Sequence, residues 1–173
     1  MEIKLIKIRK ADLNDTKGIA KVHVDSWKTT YFNIVPNEYL NNLTYESQEE
    51  IWKKKIPSGG IYVAANNDGE IVGFSAGGRE RSGNYNGFDG ELYAIYILKE
   101  YQGHGIGRQL VIPIIEEIKR LGLTSMLVLV LKDNNSRQFY EALGGIEIDE
   151  VEVRIGGEKL SESVYGWKDI RKI

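Results

Sequence analysis

The feature that most constrains the fold is a glycine-rich turn near the middle of the chain. The segment "EYQGHGIGRQL", residues 100–110, contains three glycines within five positions. It follows the apolar run "ELYAIYILK" and precedes a segment whose apolar residues recur at helical spacing. A strand that leads through such a turn into a helix typically brings a negatively charged group close to the backbone at the helix N-terminus. We therefore expect an anionic ligand at this turn.

Two common phosphate-binding motifs do not fit the turn. The phosphate loop of nucleotide hydrolases needs Lys followed by Ser or Thr after its last glycine, and here Arg108 and Gln109 follow. The dinucleotide fingerprint G-x-G-x-x-G needs a third glycine, which would fall on Arg108 or on Leu110. Neither a nucleotide hydrolase nor a dinucleotide-dependent enzyme is indicated.

The turn does fill the pattern Q/R-x-x-G-x-G/A, with Gln102, Gly105 and Gly107 at its fixed positions. This pattern resembles the coenzyme A loop of the GCN5-related N-acetyltransferases. A second segment, "KDNNSRQFYEALGG" at 132–145, resembles the same family's N-x-S-R-x-F-Y-E-x-L-G segment. The resemblance implies an enzyme that uses acetyl-coenzyme A as cosubstrate and needs no metal.

The hydrophobic pattern predicts alternating strands and helices in one α/β (α+β) domain over residues 1–173. The predicted order is a strand, two helices, a hairpin, the strand with its glycine loop and helix, a strand with a short helix, and a final hairpin. This order matches the family along essentially the whole chain. The resemblance implies a mixed, mostly antiparallel sheet with helices on both faces.

Three local predictions concern the limits and the shape of single elements. The first strand is predicted over 2–9, with Ile3, Leu5 and Ile8 on its buried side. The second helix is predicted as one continuous element from Pro36, at its first position, to about residue 56. Pro113 lies inside the helix that follows the glycine loop and should kink it.

The resemblance places the cofactor along one strand and around the glycine loop. Glycines allow a pyrophosphate to approach backbone N–H groups at the helix N-terminus, and Gln102 and Arg108 can add donors. His104 occupies a variable position and is expected to be exposed. The implied cofactor-binding residues are Ile95, Tyr96, Ile97, Gln102, Gly103, His104, Gly105, Ile106, Gly107, Arg108 and Asn134.

The resemblance also implies two groups that act on the acetyl donor. Tyr140 would lie near the sulfur, where its hydroxyl could protonate the leaving thiolate; the alternative is a tyrosine that only packs at a helix face. The strand 91–98 would bulge and separate from its neighbour, so that the N–H of Ile97 stabilises the charge on the acetyl carbonyl. Simple core packing is the alternative for Ile97, and both can hold together.

A base is also needed, because an alkylamine acceptor is mostly protonated at neutral pH. In related enzymes a carboxylate near Glu91 acts directly or through water, and burial would raise its pKa toward a useful range. The alternative is a solvated charge at the end of the strand. Asp25, Glu38 and Glu46 are weaker candidates, since charges on amphipathic helices usually face water.

The first two helices are expected to form the pocket that binds the amine acceptor. His23 is predicted to be a packed helix histidine, and two isolated histidines without any cysteine give no metal-ligand pattern. Most of the aromatic side chains in these helices should belong to the hydrophobic core, and some of them could form a wall of the acceptor pocket. They are Trp27, Tyr31, Tyr39, Tyr45 and Trp52.

Composition narrows the remaining function classes. A formal net charge of −2 and the lack of a long basic run argue against nucleic acid as partner. No apolar stretch reaches the roughly 18 residues that a membrane helix needs, and no signal peptide is apparent, so we expect a cytoplasmic protein. A homodimer is left open.

The predicted activity is acetyl transfer to the primary amine of a small molecule. The run "SWKTTYFNIVPNEYLNNL", 26–43, is loosely similar to bacterial members that acetylate small amines, including polyamines. The alternatives are a protein N-terminus or lysine as acceptor, or a non-catalytic sensor that binds coenzyme A.

Overall fold

A computed structural model describes residues 5–173 and contains one seven-stranded sheet of order β1-β2-β3-β4-β5-β7-β6. Its strands are β1 (Lys7–Lys10), β2 (Ile61–Ala65), β3 (Ile71–Arg79), β4 (Gly90–Ile97), β5 (Met126–Leu131), β6 (Ile146–Ile155) and β7 (Glu158–Trp167). Only β4 and β5 pair in parallel, and the other neighbours are antiparallel. The mixed, mostly antiparallel sheet is confirmed.

Five α-helices within residues 5–173 cover the two faces of this sheet. They are α1 (Thr16–Thr30), α2 (Asn37–Asn42), α3 (Tyr45–Lys55), α4 (Ile106–Arg120) and α5 (Arg137–Ala142). Neighbouring residues of β3 show that α3 and α4 lie on opposite sides, because side chains alternate along a strand. The ring of Phe74 packs on Trp52 of α3, whereas the hydroxyl of Ser75 donates to the carbonyl of Leu110 in α4 at 2.8 Å.

The first strand differs from its prediction in position and in register. β1 begins at Lys7, opposite Ala65 of β2, and Ile8 within the strand and Ile6 just before it pack against the core. Leu5 precedes the strand and is exposed, and Ile3 lies outside the described residues. The predicted buried set was therefore right for Ile8 and wrong for Leu5, because Ile6 rather than Leu5 shares the inward side with Ile8.

The predicted second helix is two helices. Leu43 is extended and buried, and Thr44 caps α3 by accepting a hydrogen bond from the Ser47 N–H at 3.1 Å. Pro36 immediately precedes α2 rather than forming its first residue. A threonine cap stabilises a helix start by about 1 kcal/mol, and here it favours a new helix over continuation.

The helix after the glycine loop continues through Pro113 as one element. Its apolar residues Leu110, Ile114 and Ile118 are fully buried against the sheet. This burial offsets the hydrogen bond that proline removes. None of the helices within residues 5–173 combines the length and the apolar character that a membrane crossing requires.

Candidate active site

The site begins where β4 and β5 separate. Their pairing covers only three positions, from Gly90 opposite Met126 to Leu92 opposite Val128. On its other edge β4 shifts register against β3, which leaves Tyr93 as an extra residue. The expected bulge and the expected separation of the strands are thus both present. A cleft of about 600 Å³ opens at this point, with the end of α1, the glycine loop and α5 as its further walls.

The open edge of β4 presents backbone N–H groups to this cleft. The N–H of Leu98 donates to the Val72 carbonyl of β3 at 2.9 Å. Because N–H groups of successive strand residues point to opposite edges, those of Ile97 and Ile95 point toward the opening. Ile95, Tyr96 and Ile97 all line the cleft, as the sequence predicted for the cofactor strand.

The glycine loop ends in a helix N-terminus with free donors. Gly105 has a φ of +81° and caps α4, and the first helical hydrogen bond runs from the Gln109 N–H to the Gly105 carbonyl. The N–H groups of Ile106, Gly107 and Arg108 therefore point out of the helix end. Together with the helix dipole, they form a site suited to a pyrophosphate.

The three loop glycines are required for different reasons. Gly103 and Gly105 adopt positive φ, and a Cβ on either would meet nothing within 4 Å. A Cβ on Gly107 would lie 3.1 Å from the ring of Phe139. At Gly107 the packing of α5 against α4 therefore also requires a glycine, and the approach of a phosphate to all three glycines stays a prediction.

The side chains of the loop differ in whether they reach the cleft. Gln102 donates from Nε2 to the carbonyl of Ile97 at 3.0 Å, so it braces the strand end. Arg108 lines the cleft and is exposed, while His104 is exposed and is not among the cleft residues. The side chain of Ile106 is buried in the core, which leaves only its N–H for a ligand.

Tyr140 is buried in α5 and reaches the wall of the cleft. Its ring packs near those of Phe139, Tyr165 and Trp167. Burial raises its pKa above the ordinary tyrosine value, so the hydroxyl keeps its proton at neutral pH. Within residues 5–173 this hydroxyl has no hydrogen-bond partner, which leaves it free to donate to a ligand.

Asn134 is buried and links the loop after β5 to α1. Its Nδ2 donates to the hydroxyl of Tyr31 at 3.1 Å, and its Oδ1 accepts from the Ser136 N–H at 2.9 Å. Burial raises the pKa of Tyr31. Asn134 lines the cleft, and its predicted contact with coenzyme A stays a prediction. Its contact with Tyr31 was not foreseen, because 103 positions separate the two residues.

Glu91 is buried and ion-paired, and it lies beside the cleft without lining it. Its Oε2 accepts from the Arg81 guanidinium at 2.7 Å, and its Oε1 accepts from the Arg81 backbone N–H at 3.1 Å. The guanidinium also lies 4.3 Å from the ring centre of Tyr93. The alternative of a solvated strand-end charge is excluded, and Arg81 was not predicted from the sequence as the partner of Glu91.

The weaker carboxylate candidates lie on the surface of the helices. Asp25 accepts a hydrogen bond from the Tyr45 hydroxyl at 2.6 Å and lies 3.6 Å from Lys21. Glu38 and Glu46 are exposed. None of the three lines the cleft.

His23 is a packed, uncharged residue. Its Nδ1 accepts from the Trp52 indole N–H at 2.9 Å, and its ring centre lies 5.3 Å from that of Tyr96. Burial lowers the pKa of His23 to about 4. The rings of Trp27 and Tyr31 pack beside Tyr96, which lines the cleft. None of the five aromatic residues predicted for the first two helices is among the residues that line the cleft, so their part in the pocket wall stays a prediction.

Comparison with known proteins gives a consistent result. A family model described as the acetyltransferase (GNAT) family matches residues 23–145, which include the glycine loop and the segment around Tyr140. The chain is 43% identical over 166 residues to an uncharacterized N-acetyltransferase, YuaI, of Bacillus subtilis (strain 168), with coverage of 96% of this chain and 95% of the relative.

More distant relatives carry more specific names. The spermidine N(1)-acetyltransferase of Thermoplasma acidophilum is 24% identical, with coverage of 92% of this chain and 98% of the relative. A solved structure of the PaiA N-acetyltransferase from Thermoplasma acidophilum in complex with coenzyme A, also 24% identical, superposes with a TM-score of 0.71 and the same coverage. An acetyltransferase from Salmonella typhimurium with acetyl-coenzyme A, 19% identical, gives a TM-score of 0.69 over 95% of this chain and 94% of that one.

Proposed function

Since the chain belongs to the acetyltransferase (GNAT) family and is an acetyl-coenzyme A-dependent N-acetyltransferase, we propose that it acetylates the primary amine of a small molecule. The observation that carries this proposal is the opening between β4 and β5. It brings backbone donors, a helix N-terminus and the Tyr140 hydroxyl to one cleft. These donors suit two parts of acetyl-coenzyme A, its pyrophosphate and its thioester.

The cofactor-binding roles follow from which donors are free. We assign the pyrophosphate to the N–H groups of Ile106, Gly107 and Arg108 at the start of α4. The pantetheine arm would run along the open edge of β4 past Ile97 and Ile95. Asn134 and Tyr140 line the opposite wall. When bound, the cosubstrate supplies an acetyl thioester that an uncharged amine can attack.

The chain's own groups then serve the transfer in two ways. The N–H of Ile97 stabilises the negative charge that develops on the acetyl oxygen during attack. The Tyr140 hydroxyl donates to the sulfur as the carbon–sulfur bond breaks. Because burial raises its pKa, Tyr140 holds its proton until a thiolate develops beside it.

The attacking nitrogen must first lose the proton of its ammonium form. We propose Glu91 as the base, acting through water. Arg81 already donates to both of its oxygens, and Glu91 does not line the cleft. A bridging water fits that arrangement better than direct contact with the amine.

A polyamine is our finer proposal for the acceptor. It is supported by the 24% identity to a spermidine acetyltransferase over 92% of the chain. The ring of Tyr96, which lines the cleft, also suits a cation, because the face of an aromatic ring attracts ammonium groups.

The test is an amine panel with acetyl-coenzyme A. It contains alkyl monoamines, terminal diamines, polyamines, and peptides with a free N-terminus or a lysine. Free thiol is measured, and acetylated products are identified by mass. Turnover with small amines above that with peptides supports the proposal. Preferential acetylation of peptides would indicate a protein acceptor, and binding of coenzyme A without turnover would indicate a sensor.

A further inference from the structure

Tyr31 is a buried residue at the C-terminal end of α1 to which the reaction described above gives no role. Its hydroxyl accepts a hydrogen bond from Nδ2 of Asn134 at 3.1 Å, and both residues are buried. Asn134 follows β5 and lines the cleft, whereas Tyr31 is not among the lining residues. An effect of Tyr31 on a bound ligand must therefore pass through Asn134.

Two hydrogen bonds determine the orientation of the Asn134 amide. Its Oδ1 accepts from the Ser136 N–H at 2.9 Å, and its Nδ2 donates to Tyr31. An amide nitrogen carries two hydrogens, and the part of the chain that the structure describes offers no acceptor for the second one. This N–H is an unused donor on a residue of the cleft wall, where a ligand carbonyl can accept from it.

The bond to Ser136 is not sufficient to hold this amide. It closes a short turn within one loop, and the torsion that rotates an asparagine amide has a broad, shallow preference. The bond to Tyr31 supplies the second fixed point, from a different element. The Tyr31 ring is itself held by packing, because its centre lies 4.5 Å from that of Trp27 and it belongs to a buried cluster with Val24 and Leu131.

We propose that Tyr31 is a positioning residue for acetyl-coenzyme A, whose hydroxyl holds the Asn134 amide so that its free N–H donates to a carbonyl of the pantetheine arm. This proposal rests on the proposed function, in which the arm runs along the open edge of β4 opposite Asn134. The arm contains amide groups, and their carbonyl oxygens accept hydrogen bonds. The end of α1 thereby contributes to cofactor binding without contact with the cofactor.

The kinetic signature follows from when this contact is made. The Asn134 N–H binds the arm in the ground state and in the transition state alike, so a loss of its orientation should raise the KM for acetyl-coenzyme A with little change in kcat. Tyr31→Phe removes the hydroxyl and keeps the ring beside Trp27. The Kd for coenzyme A should rise roughly fivefold, which is the equivalent of one neutral hydrogen bond.

Tyr62→Phe is the matched control. The Tyr62 hydroxyl donates to Glu117 at 2.8 Å and accepts from Arg120 at 3.0 Å, and Tyr62 does not line the cleft. This variant also loses a bonded tyrosine hydroxyl, and it should keep the wild-type Kd for coenzyme A. A rise equal to that in Tyr31→Phe would show that the loss of any bonded hydroxyl has this effect, and would overturn the proposal.

A double-mutant cycle separates positioning from a general structural change. Coenzyme A is titrated by calorimetry into the wild type, Tyr31→Phe, Asn134→Ala and the double variant. If Tyr31 acts through Asn134, its replacement should have no further effect once residue 134 is alanine. Losses that multiply in the double variant would overturn the proposal, and so would an unchanged Kd in either single variant.

The titration also distinguishes this proposal from the proposed function, because it needs neither an acceptor nor turnover. Failure of the wild type to bind coenzyme A would contradict both. Wild-type binding without acetylation of any small amine would contradict the proposed acceptor, and the cycle would still decide the role of Tyr31. Acetylation of small amines with the same Kd in Tyr31→Phe and the wild type would contradict the role of Tyr31 alone.

Discussion

At the scale of single residues, the Tyr140 hydroxyl carries the clearest catalytic expectation. Tyr140→Phe removes this group and keeps the ring packed among Phe139, Tyr165 and Trp167. Loss of a general acid should lower kcat on the order of 10²-fold, with a similar loss in kcat/KM. Steady-state kinetics with saturating acetyl-coenzyme A measures both.

Tyr165→Phe is the control for removal of a hydroxyl. The Tyr165 hydroxyl donates to Glu141 at 3.1 Å and is not part of the cleft wall. This variant should retain kcat near the wild-type value. If Tyr140→Phe retained it as well, with chemistry shown to be rate-limiting, Tyr140 would be a packing residue only.

His23 gives the second prediction, which concerns stability. Its pKa is about 4 in the folded protein, whereas an exposed histidine titrates near 6.5. The unfolded chain therefore binds a proton that the folded protein excludes. The free energy of unfolding should fall as pH drops from about 6.5 toward 4, by up to about 3 kcal/mol.

Urea unfolding of the wild type and of His23→Gln at pH 7 and pH 4.5 tests this effect. Glutamine can still accept from Trp52, and it does not titrate. The variant should lose less stability between the two pH values than the wild type does. Asp15, whose pKa is lowered by Arg9, affects both proteins alike. Equal losses would show that His23 is not excluded from protonation.

The sequence predicts individual residues best where a motif fixes them. Tyr140 and Gly105 could be named because they occupy set positions in two recognisable segments. The partners of Glu91 and Asn134 could not, since Arg81 and Tyr31 reach them through the course of a loop and across 103 positions. Their pairing depends on tertiary geometry, which residue spacing does not encode.

At the scale of elements, the third prediction concerns the glycine loop and the N-terminus of α4. Gly105→Asp introduces a carboxylate at the helix N-terminus, where the pyrophosphate should bind. Gly122→Asp is the matched control, because Gly122 lies just past the other end of α4, with a φ of +80° and open space around its Cβ. Each variant should cost about 1 kcal/mol from backbone strain alone.

Thermal unfolding with and without acetyl-coenzyme A separates strain from binding. A ligand that binds only the folded state raises Tm by mass action. At a hundredfold excess over Kd, the free energy of unfolding increases by about 2.7 kcal/mol. Wild type and Gly122→Asp should show this rise, and Gly105→Asp should not. A normal shift in Gly105→Asp would contradict the assignment of the loop to the pyrophosphate.

The order of the elements could be predicted from hydrophobic periodicity. Their boundaries could be predicted less accurately. The break between α2 and α3 depends on the hydrogen bond from the Ser47 N–H to Thr44, a weak signal inside a continuous helical pattern. The start of β1 depends on which register pairs with β2. The bulge at Tyr93 has no mark in the sequence and was expected from the resemblance alone.

At the scale of the whole molecule, the last hairpin, β6 and β7, connects elements that are distant in the sequence. Its turn residue Gly156 packs against Pro36 and Tyr39 at the start of α2, and Asp149 accepts from the Tyr85 hydroxyl in the loop between β3 and β4. These contacts hold the hairpin against the first helices and against the loop that follows β3.

The central claim is that acetyl passes directly from coenzyme A to a small amine in the cleft between β4 and β5. Its most direct test is mass spectrometry of protein and products from one reaction with acetyl-coenzyme A and a terminal diamine. The chain contains no cysteine that could carry the acetyl group as a thioester. We predict one acetylated amine for each thiol released, and an intact protein mass that does not change. Thiol release without acetylated amine, or an acetyl-protein that passes its acetyl group to the amine, would contradict direct transfer.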